Sequence, residues 1–183
     1  VSTDNELSQW GDWRESKSVR VVPGDGNVCG QDVALLVLSQ PVPESVAIPR
    51  VPRIDEIVAV DALNSDYEVY SAVGYGNIND DYGSGRRRRR DALKASCVAQ
   101  WCPIWSSTTE TEWTGETGVC SGDSGGPAFD ADGRVIGVAS RGAAGCAHPI
   151  YGGVWGWSDW MKENVVEATQ SAGIETPSWA LGF

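Results

Sequence analysis

The chain has one histidine, one methionine and no apolar run near the ~20 residues that a membrane-spanning helix needs. Positive charge is also scarce, with 14 Lys and Arg against 25 Asp and Glu. The net charge of −11 argues against nucleic acid as the main partner. One distant histidine gives Cys97-x4-Cys102 no convincing zinc spacing, so we expect no metal. Since no apolar run is long enough, we also expect no membrane segment.

The length and composition that remain are those of an ordinary globular protein. The chain has 183 residues, of which 41% are hydrophobic and 21% charged. This length suits one compact unit or two small, tightly joined ones, with enough residues for a core.

The most informative segment is the run V-C-S-G-D-S-G-G-P at 119–127. Glycines on both sides of Ser124 let the backbone turn sharply and bring bare N–H groups close to one point. Such groups can stabilise the oxyanion that forms when a serine oxygen attacks a carbonyl. A flexible linker is the alternative, but a linker would not start with a cysteine between hydrophobic segments. The run resembles the nucleophile loop of the chymotrypsin/trypsin-like serine proteases.

A second candidate segment is Asp32 followed by the apolar run 33–38. An acid before an unbroken apolar run predicts a loop that enters a buried strand. Alone it would be an ordinary turn or cap residue. Its order and spacing relative to Ser124 resemble the family's Asp-Ala-Leu-Leu segment. The resemblance makes Asp32 the acid that orients a histidine, which in turn accepts the serine proton.

The histidine itself is the departure from the family pattern. The family order is His, Asp, Ser, yet none of the 31 residues before Asp32 is a histidine. His148 follows Ser124, at a position that matches a surface loop, and is not expected to be the base. Two explanations remain: the first strands lie upstream of Val1, or the parent is a homologue that has lost catalysis. Truncation is the favoured explanation, and the chain alone should not be an efficient protease.

The resemblance also assigns roles within the loop around the serine. Ser124 would be the nucleophile, and the backbone N–H groups of Gly122 and Ser124 would form the oxyanion hole. Asp123 would pair with a new amino terminus after activation cleavage. The reaction would proceed through an acyl-enzyme and needs no cofactor.

The resemblance further implies a specificity pocket. The residue at its floor lies six positions before the nucleophile, at Gly118, which carries no charge. We therefore expect a roomy pocket that favours apolar or aromatic side chains. Arg141 replaces the usual tryptophan, and its side chain is expected to fold over the substrate strand and favour acidic neighbours. The implied substrate-binding residues are Gly118, Val119, Ser140, Arg141, Gly142 and Gly153.

Five cysteines in a short acidic chain indicate disulfides and an oxidising, extracytoplasmic compartment. The resemblance pairs Cys120 with Cys146. Cys97 and Cys102 are close enough in sequence to close a small loop, although sequence alone leaves this open. Cys29 is left over, and a partner in an upstream segment would account for it.

Short apolar or alternating runs bounded by Gly, Pro, Asn or Asp are typical of an all-β barrel or sandwich. They lie at 19–22, 33–38, 57–60, 69–73, 92–98, 127–129, 135–139 and 153–155. The resemblance implies two antiparallel six-stranded barrels, the first incomplete, with a C-terminal helix. Residues 1–60 would hold the remainder of the first barrel and the crossing at 41–53, and residues 61–156 the second barrel. A helix is predicted at 157–169, within a C-terminal helical segment 157–172, capped by Ser158 and ended by Gly173, with a tail at 173–183.

The block Arg86 to Arg90 invites a heparin or nucleic-acid interpretation. It follows the acidic loop 79–85 and leads into a plausible strand at 91–98. We therefore predict local charge pairing at a solvated junction instead of an anion site.

These observations favour a secreted, monomeric serine endopeptidase that acts on polypeptides, with a protease inhibitor as a further possible class of partner. The alternative is a non-catalytic protease homologue that acts as a binding or regulatory module. A generic extracellular adhesion domain is a third hypothesis.

Overall fold

The computed structural model describes residues 1–43, 45–46, 50–61, 63–79 and 81–182. The predicted crossing at 41–53 and the acidic loop at 79–85 each lie partly outside these residues. Two short pieces of structure fall early in the described chain: a helical turn at Val28–Gln31 and the two-residue strands β3 (Val60–Asp61) and β4 (Asp66–Tyr67).

A closed barrel of six antiparallel strands forms the main body of the protein. Its strands follow the order β10-β7-β6-β5-β8-β9, and β10 pairs with β9 to close it. They are β5 (Val69–Gly74), β6 (Arg88–Val98), β7 (Glu112–Gly115), β8 (Pro127–Phe129), β9 (Val135–Ala143) and β10 (Ala147–Gly153). Closure leaves no unpaired edge among these strands, which makes the barrel a rigid platform for loops.

Three aromatic side chains fill the barrel. Trp113 stacks on Tyr151 with ring centroids 4.2 Å apart, and Tyr70 meets both rings edge-on. Gly137 lies directly against the indole, where an added Cβ would come 2.7 Å from Nε1 of Trp113. The Tyr70 hydroxyl donates to that of Tyr151. Burial raises the pKa of Tyr70 to about 12.

Residues before 60 form a smaller and more open unit than the predicted partial barrel. Strands β1 (Ser16–Val21) and β2 (Ala34–Leu38) pair as a two-stranded sheet. This sheet and the connection 22–33 between its strands are here called the ribbon. Strand β2 was expected to be buried, but its residues are exposed or half-buried, and only Val33 just before it is buried. The apolar run was misleading because two strands alone leave most of their surface uncovered.

The C-terminal helix spans Ser158–Ala172, and a short helix, Ser178–Leu181, packs on it. Ser158 is the first helical residue and not the cap, because Trp157 holds the cap position without a side-chain hydrogen bond. Gly173 ends the helix in the left-handed region, as predicted, with φ at 65°. Met161 joins Ile54 and Val154 in a second apolar cluster that attaches the helix to the barrel.

Three arginines of the block, Arg87 to Arg89, bond to other groups within the protein. Arg87 donates to Thr3 O and Asn5, and Arg88 donates to the carbonyl groups of Gly76 and Gly83. Arg89 pairs with Asp91, the residue after the block. Of these three arginines, Arg89 makes the local charge pair that was predicted. Arg88 bonds to nearby carbonyl groups, and Arg87 bonds to the N-terminal segment, more than 80 positions away in the sequence.

Candidate active site

The loop that carries Ser124 is held by its own backbone. Asp123 N donates to Cys120 O at 2.9 Å, and Gly126 N donates to Asp123 O at 2.8 Å. Gly122 has φ at 94°, a region that side chains rarely adopt, and a Cβ on Gly126 would lie 2.6 Å from Val73 O. The sequence folds this way because only glycine fits at these places, and the turn leaves Ser124 exposed at its tip.

The backbone N–H groups of Gly122 and Ser124 donate no hydrogen bond to any of the described residues. The neighbouring N–H groups of Asp123, Gly125 and Gly126 are all engaged. The assignment of Gly122 and Ser124 as an oxyanion hole stays a prediction, and the absence of an acceptor for either N–H among the described residues is compatible with it.

Asp123 lies beneath this loop with its carboxylate turned inward. Its Oδ1 accepts from Gly76 N at 2.7 Å and its Oδ2 from Cys120 N at 2.8 Å. An added Cβ on Gly74 would also meet this carboxylate, so the two glycines of the Gly-Tyr-Gly turn make room for it. The amino group of Val1 donates to Arg14 O instead. The pairing of Asp123 with an amino terminus stays a prediction.

Asp32 connects to Ser124 through one residue of strand β9. Ser140 Oγ donates to Asp32 Oδ2 at 2.7 Å, and Ser124 Oγ donates to Ser140 O at 3.3 Å. The ribbon supplies the acid and the barrel supplies both serines. The structure thus brings together two residues that lie 92 positions apart in the sequence.

A buried carboxylate that sequence reasoning did not single out lies close to Ser140. Glu112, in β7, is 0% exposed and pairs with the Arg141 guanidinium, with Nη2 3.0 Å from Oε2. Burial raises the pKa of Glu112, but hydrogen bonds from Arg141, Gly30 and Thr109 outweigh it and hold the pKa below its ordinary value. The only sequence signal is a glutamate directly before a buried tryptophan.

This pairing corrects the expectation for Arg141. Its guanidinium does not lie free over a substrate strand, because Nη2 also donates to Ser107 O at 2.9 Å. The hydrogen bonds with Glu112 raise the pKa of Arg141 further above its usual range. A cation compensated in this way gives no reason to expect acidic neighbours in a substrate.

A cavity of about 130 Å³ opens beside Ser124. Four of the predicted binding residues line it: Val119, Ser140, Arg141 and Gly142. Its other lining residues are Cys120, Ser121, Ala139, Ala143, Cys146 and Pro149.

Two predicted pocket residues lie elsewhere. Gly118 lines neighbouring cavities with Arg90 and not the cavity beside Ser124. Gly153 is buried against the ring of Trp155, and its N–H donates to Thr111 O at 2.7 Å. Pro149, four residues before Gly153 in β10, lines the cavity beside Ser124. The assignment of Gly118 and Gly153 to substrate binding stays a prediction.

The cysteines and the histidine complete the surroundings. Disulfides join Cys120 to Cys146, beside the cavity, and Cys97 to Cys102, while Cys29 is free. His148 packs edge-on against Trp105, with ring centroids 5.1 Å apart, and does not line the Ser124 cavity. Within the described residues no cluster of three or more His, Cys, Asp or Glu could hold a metal ion. A search of the same residues finds no helix long and apolar enough to span a membrane.

Comparisons with known proteins identify the family and the fold. The family model described as Trypsin matches residues 4–161. Thrombin-like enzyme CPI-enzyme 2 from Gloydius ussuriensis is 30% identical over 156 residues, which cover 78% of this chain. The chain spans 57% of the length of that relative.

Two solved structures share the fold. Neuropsin, a serine protease expressed in the limbic system of mouse brain, superposes with a TM-score of 0.66 at 17% identity, covering 88% of this chain and 76% of its own. A mutant of human heparin binding protein gives a TM-score of 0.64 at 21% identity, covering 84% and 66%. The match of the family model over residues 4–161, together with the 30% identical relative, shows that the chain belongs to the trypsin family of serine proteases.

Proposed function

We propose that this chain carries the nucleophile and the orienting acid of a serine endopeptidase that works through an acyl-enzyme. The observation that carries the proposal is the connection from Ser124 through Ser140 to Asp32, next to unused N–H donors and a cavity. In this assignment Ser124 is the nucleophile, Gly122 and Ser124 supply the oxyanion hole, and Asp123 braces the loop beneath it.

The proposed chemistry needs a base that the described site does not contain. As Ser124 Oγ bonds to the substrate carbonyl carbon, its proton must pass to a base, and the oxyanion is held by the two N–H groups. The same base then protonates the leaving amine as the C–N bond breaks, and water hydrolyses the ester. We propose that a histidine from polypeptide outside these 183 residues takes this place beside Asp32.

Specificity follows from the cavity. Val119, Ala139 and Pro149 give it apolar walls, and the one charged side chain at its rim, Arg141, is engaged by Glu112. We propose that it accepts an apolar side chain before the cut bond. The proline wall narrows the space and favours small or medium side chains over the aromatic ones that a glycine wall would admit.

The second candidate is a non-catalytic homologue that binds polypeptides. The observation in its favour is that His148 lies against Trp105, away from the Ser124 cavity. The backbone of Ser140 to Gly142 could still bind an extended peptide, which needs no base. The two disulfides support an extracytoplasmic location for either candidate.

Imidazole can test the two candidates on this chain alone. Because Asp32 is exposed, free imidazole can reach its carboxylate and act as the missing base. We expect it to accelerate covalent labelling of Ser124 by a fluorophosphonate in a saturable way, as measured by intact-protein mass spectrometry. Ser124→Ala should abolish labelling, and Asp32→Asn should abolish the acceleration, because a neutral amide cannot stabilise imidazolium. Labelling that imidazole does not change would overturn the catalytic assignment and favour the binding module.

A further inference from the structure

Glu112 is the most deeply buried carboxylate that contacts the candidate site. Glu112 is 0% exposed, and each of its carboxylate oxygens accepts two hydrogen bonds. Oε1 accepts from Gly30 N at 2.9 Å and from Arg141 Nη1, and Oε2 accepts from Thr109 N at 2.8 Å and from Arg141 Nη2. Burying an ionised carboxylate is strongly unfavourable unless such donors surround it, so this arrangement must be kept whole.

The donors come from three separate segments of the chain. Gly30 lies two residues before Asp32, Arg141 directly follows Ser140, and Thr109 belongs to the loop that precedes β7. The carbonyl of Gly30 is held as well, because Thr111 Oγ1 donates to it at 2.9 Å. Both backbone hydrogen-bonding groups of Gly30 are therefore fastened to the barrel beside the orienting acid.

The backbone conformation at Gly30 fits this contact closely. Its φ of 81° lies in the region that favours glycine, and an added Cβ would meet Thr109 Oγ1 at 2.5 Å. On the other side of the pair, Arg141 Nη1 lies 3.4 Å from Ser140 Oγ, the hydroxyl that donates to Asp32. The charge pair thus contacts both neighbours of Asp32: the loop before it and the serine that holds its carboxylate.

We propose that Glu112 and Arg141 are positioning residues, which fix Asp32 from the ribbon against Ser140 and Ser124 of the barrel. The proposal rests on the proposed function for its catalytic consequence, although the geometry it claims can be measured without catalysis. A purely structural pair would stabilise the whole fold evenly. A positioning pair changes the Asp32 loop and the segment 140–142 first, while the rest of the barrel keeps its stability.

The experiment compares Glu112→Gln, Arg141→Gln and the double variant with the unmodified chain. Glutamine keeps the size of glutamate but cannot hold a charged pair. The double variant leaves no unpaired buried charge, so it serves if either single variant fails to fold. Glu68→Gln is the matched control, because it breaks a second Arg–Glu pair, that of Glu68 with Arg53. The Arg53 side chain is 7% exposed, and the pair lies outside the candidate site.

Two readouts are used: amide hydrogen exchange by segment, and the rate of fluorophosphonate labelling of Ser124 against imidazole concentration. In the Glu112 and Arg141 variants, we expect the exchange rate to increase more at 29–32 and 140–142 than in β5 and β6. Misplacement of Asp32 should lower the imidazole-dependent labelling rate by up to about 10²-fold. The Glu68→Gln control should alter exchange near Arg53 and leave labelling of folded protein unchanged.

Exchange that rises evenly along the chain, or that leaves 29–32 as protected as before, would overturn the positioning role. Imidazole that accelerates labelling in the unmodified chain and equally in the variants would also overturn it. If imidazole has no effect on the unmodified chain, the proposed function fails, and the exchange pattern alone decides whether the pair positions the Asp32 loop.

Discussion

The barrel and the ribbon differ in how completely they bury their apolar residues. Trp113 and Tyr151, inside the barrel, are 0% exposed, whereas Val21 and Leu36 of the ribbon are 70% and 50% exposed. A closed barrel pairs every strand, but a two-stranded sheet in water is marginal without other contacts. The candidate site joins the two, since Ser124 stands on the barrel and Asp32 on the ribbon. Its geometry should therefore be lost at the ribbon before it is lost at the barrel.

The largest expected effect comes from the barrel core. Trp113→Ala removes a ring stacked on Tyr151 and should lower the free energy of unfolding by about 3–5 kcal/mol. Leu36→Ala in the ribbon removes a half-exposed side chain and should cost less than about 1 kcal/mol. Urea unfolding followed by tryptophan fluorescence and circular dichroism measures both. Equal losses of unfolding free energy in the two variants would contradict the difference in burial between the barrel and the ribbon.

The two disulfides, both in the barrel half of the chain, should differ according to the loops they close. Cys120 and Cys146 are 26 residues apart, and Cys97 and Cys102 are 5 apart. Loop-closure entropy then gives about 3.5 kcal/mol for the longer loop and about 2 kcal/mol for the shorter. Paired Cys→Ser variants measured by urea unfolding test this order. A larger loss from the short loop would mean that Cys97–Cys102 acts through the folded state.

Acid should weaken the junction between ribbon and barrel. Burial raises the pKa of Glu112, but the hydrogen bonds to its carboxylate, chiefly from Arg141, lower the pKa by more than burial raises it. The pKa in the folded protein therefore lies below the ordinary value. The stability that this carboxylate contributes is present above the unfolded glutamate pKa of about 4.3 and is lost as the pH falls through the lower folded pKa. We expect a smaller effect than either disulfide gives.

Unfolding free energies from pH 7 to pH 3 test this expectation, with Glu112→Gln as the comparison. The variant should show a flatter acid limb than the unmodified chain. The same slope in both would contradict the assignment, since the other carboxylates with a lowered pKa, Glu68, Asp61 and Asp91, would then account for the acid dependence.

Sequence reasoning succeeded where one residue type has one physical reason to be present. The glycines around Ser124 predicted a sharp loop, and the left-handed cap at Gly173 followed from glycine at a helix end. The bounds and register of the strands were harder to predict. Of the predicted strand at 153–155, Gly153 is the last residue of β10, and residues 154 and 155 belong to a helical turn. A slip of a few residues exchanges the lining of a pocket: Pro149 lines the cavity beside Ser124, and Gly153 does not.

The pairing of Glu112 with Arg141 lay beyond sequence reasoning for a different reason. Strand β7 was not predicted, because Glu112 and Thr114 break its apolar pattern, and both are buried. A buried glutamate is recognisable only by its partners, and these are as far away as Gly30. Long-range contacts of this kind leave no local pattern to interpret.

The smallest expected effect concerns the contact between the ribbon and the C-terminal helix. Arg20, in β1, donates to Glu167 and to Asn164 of the C-terminal helix, with Nη1 2.9 Å from Glu167 Oε2. Because Glu167 is largely exposed, Glu167→Gln should cost about 0.2–1 kcal/mol and less at high salt. Hydrogen exchange should rise in β1 and stay unchanged in β5 and β6. If the change reached the barrel strands instead, the ribbon would be part of the same cooperative unit as the barrel, and the distinction between the two regions would fail.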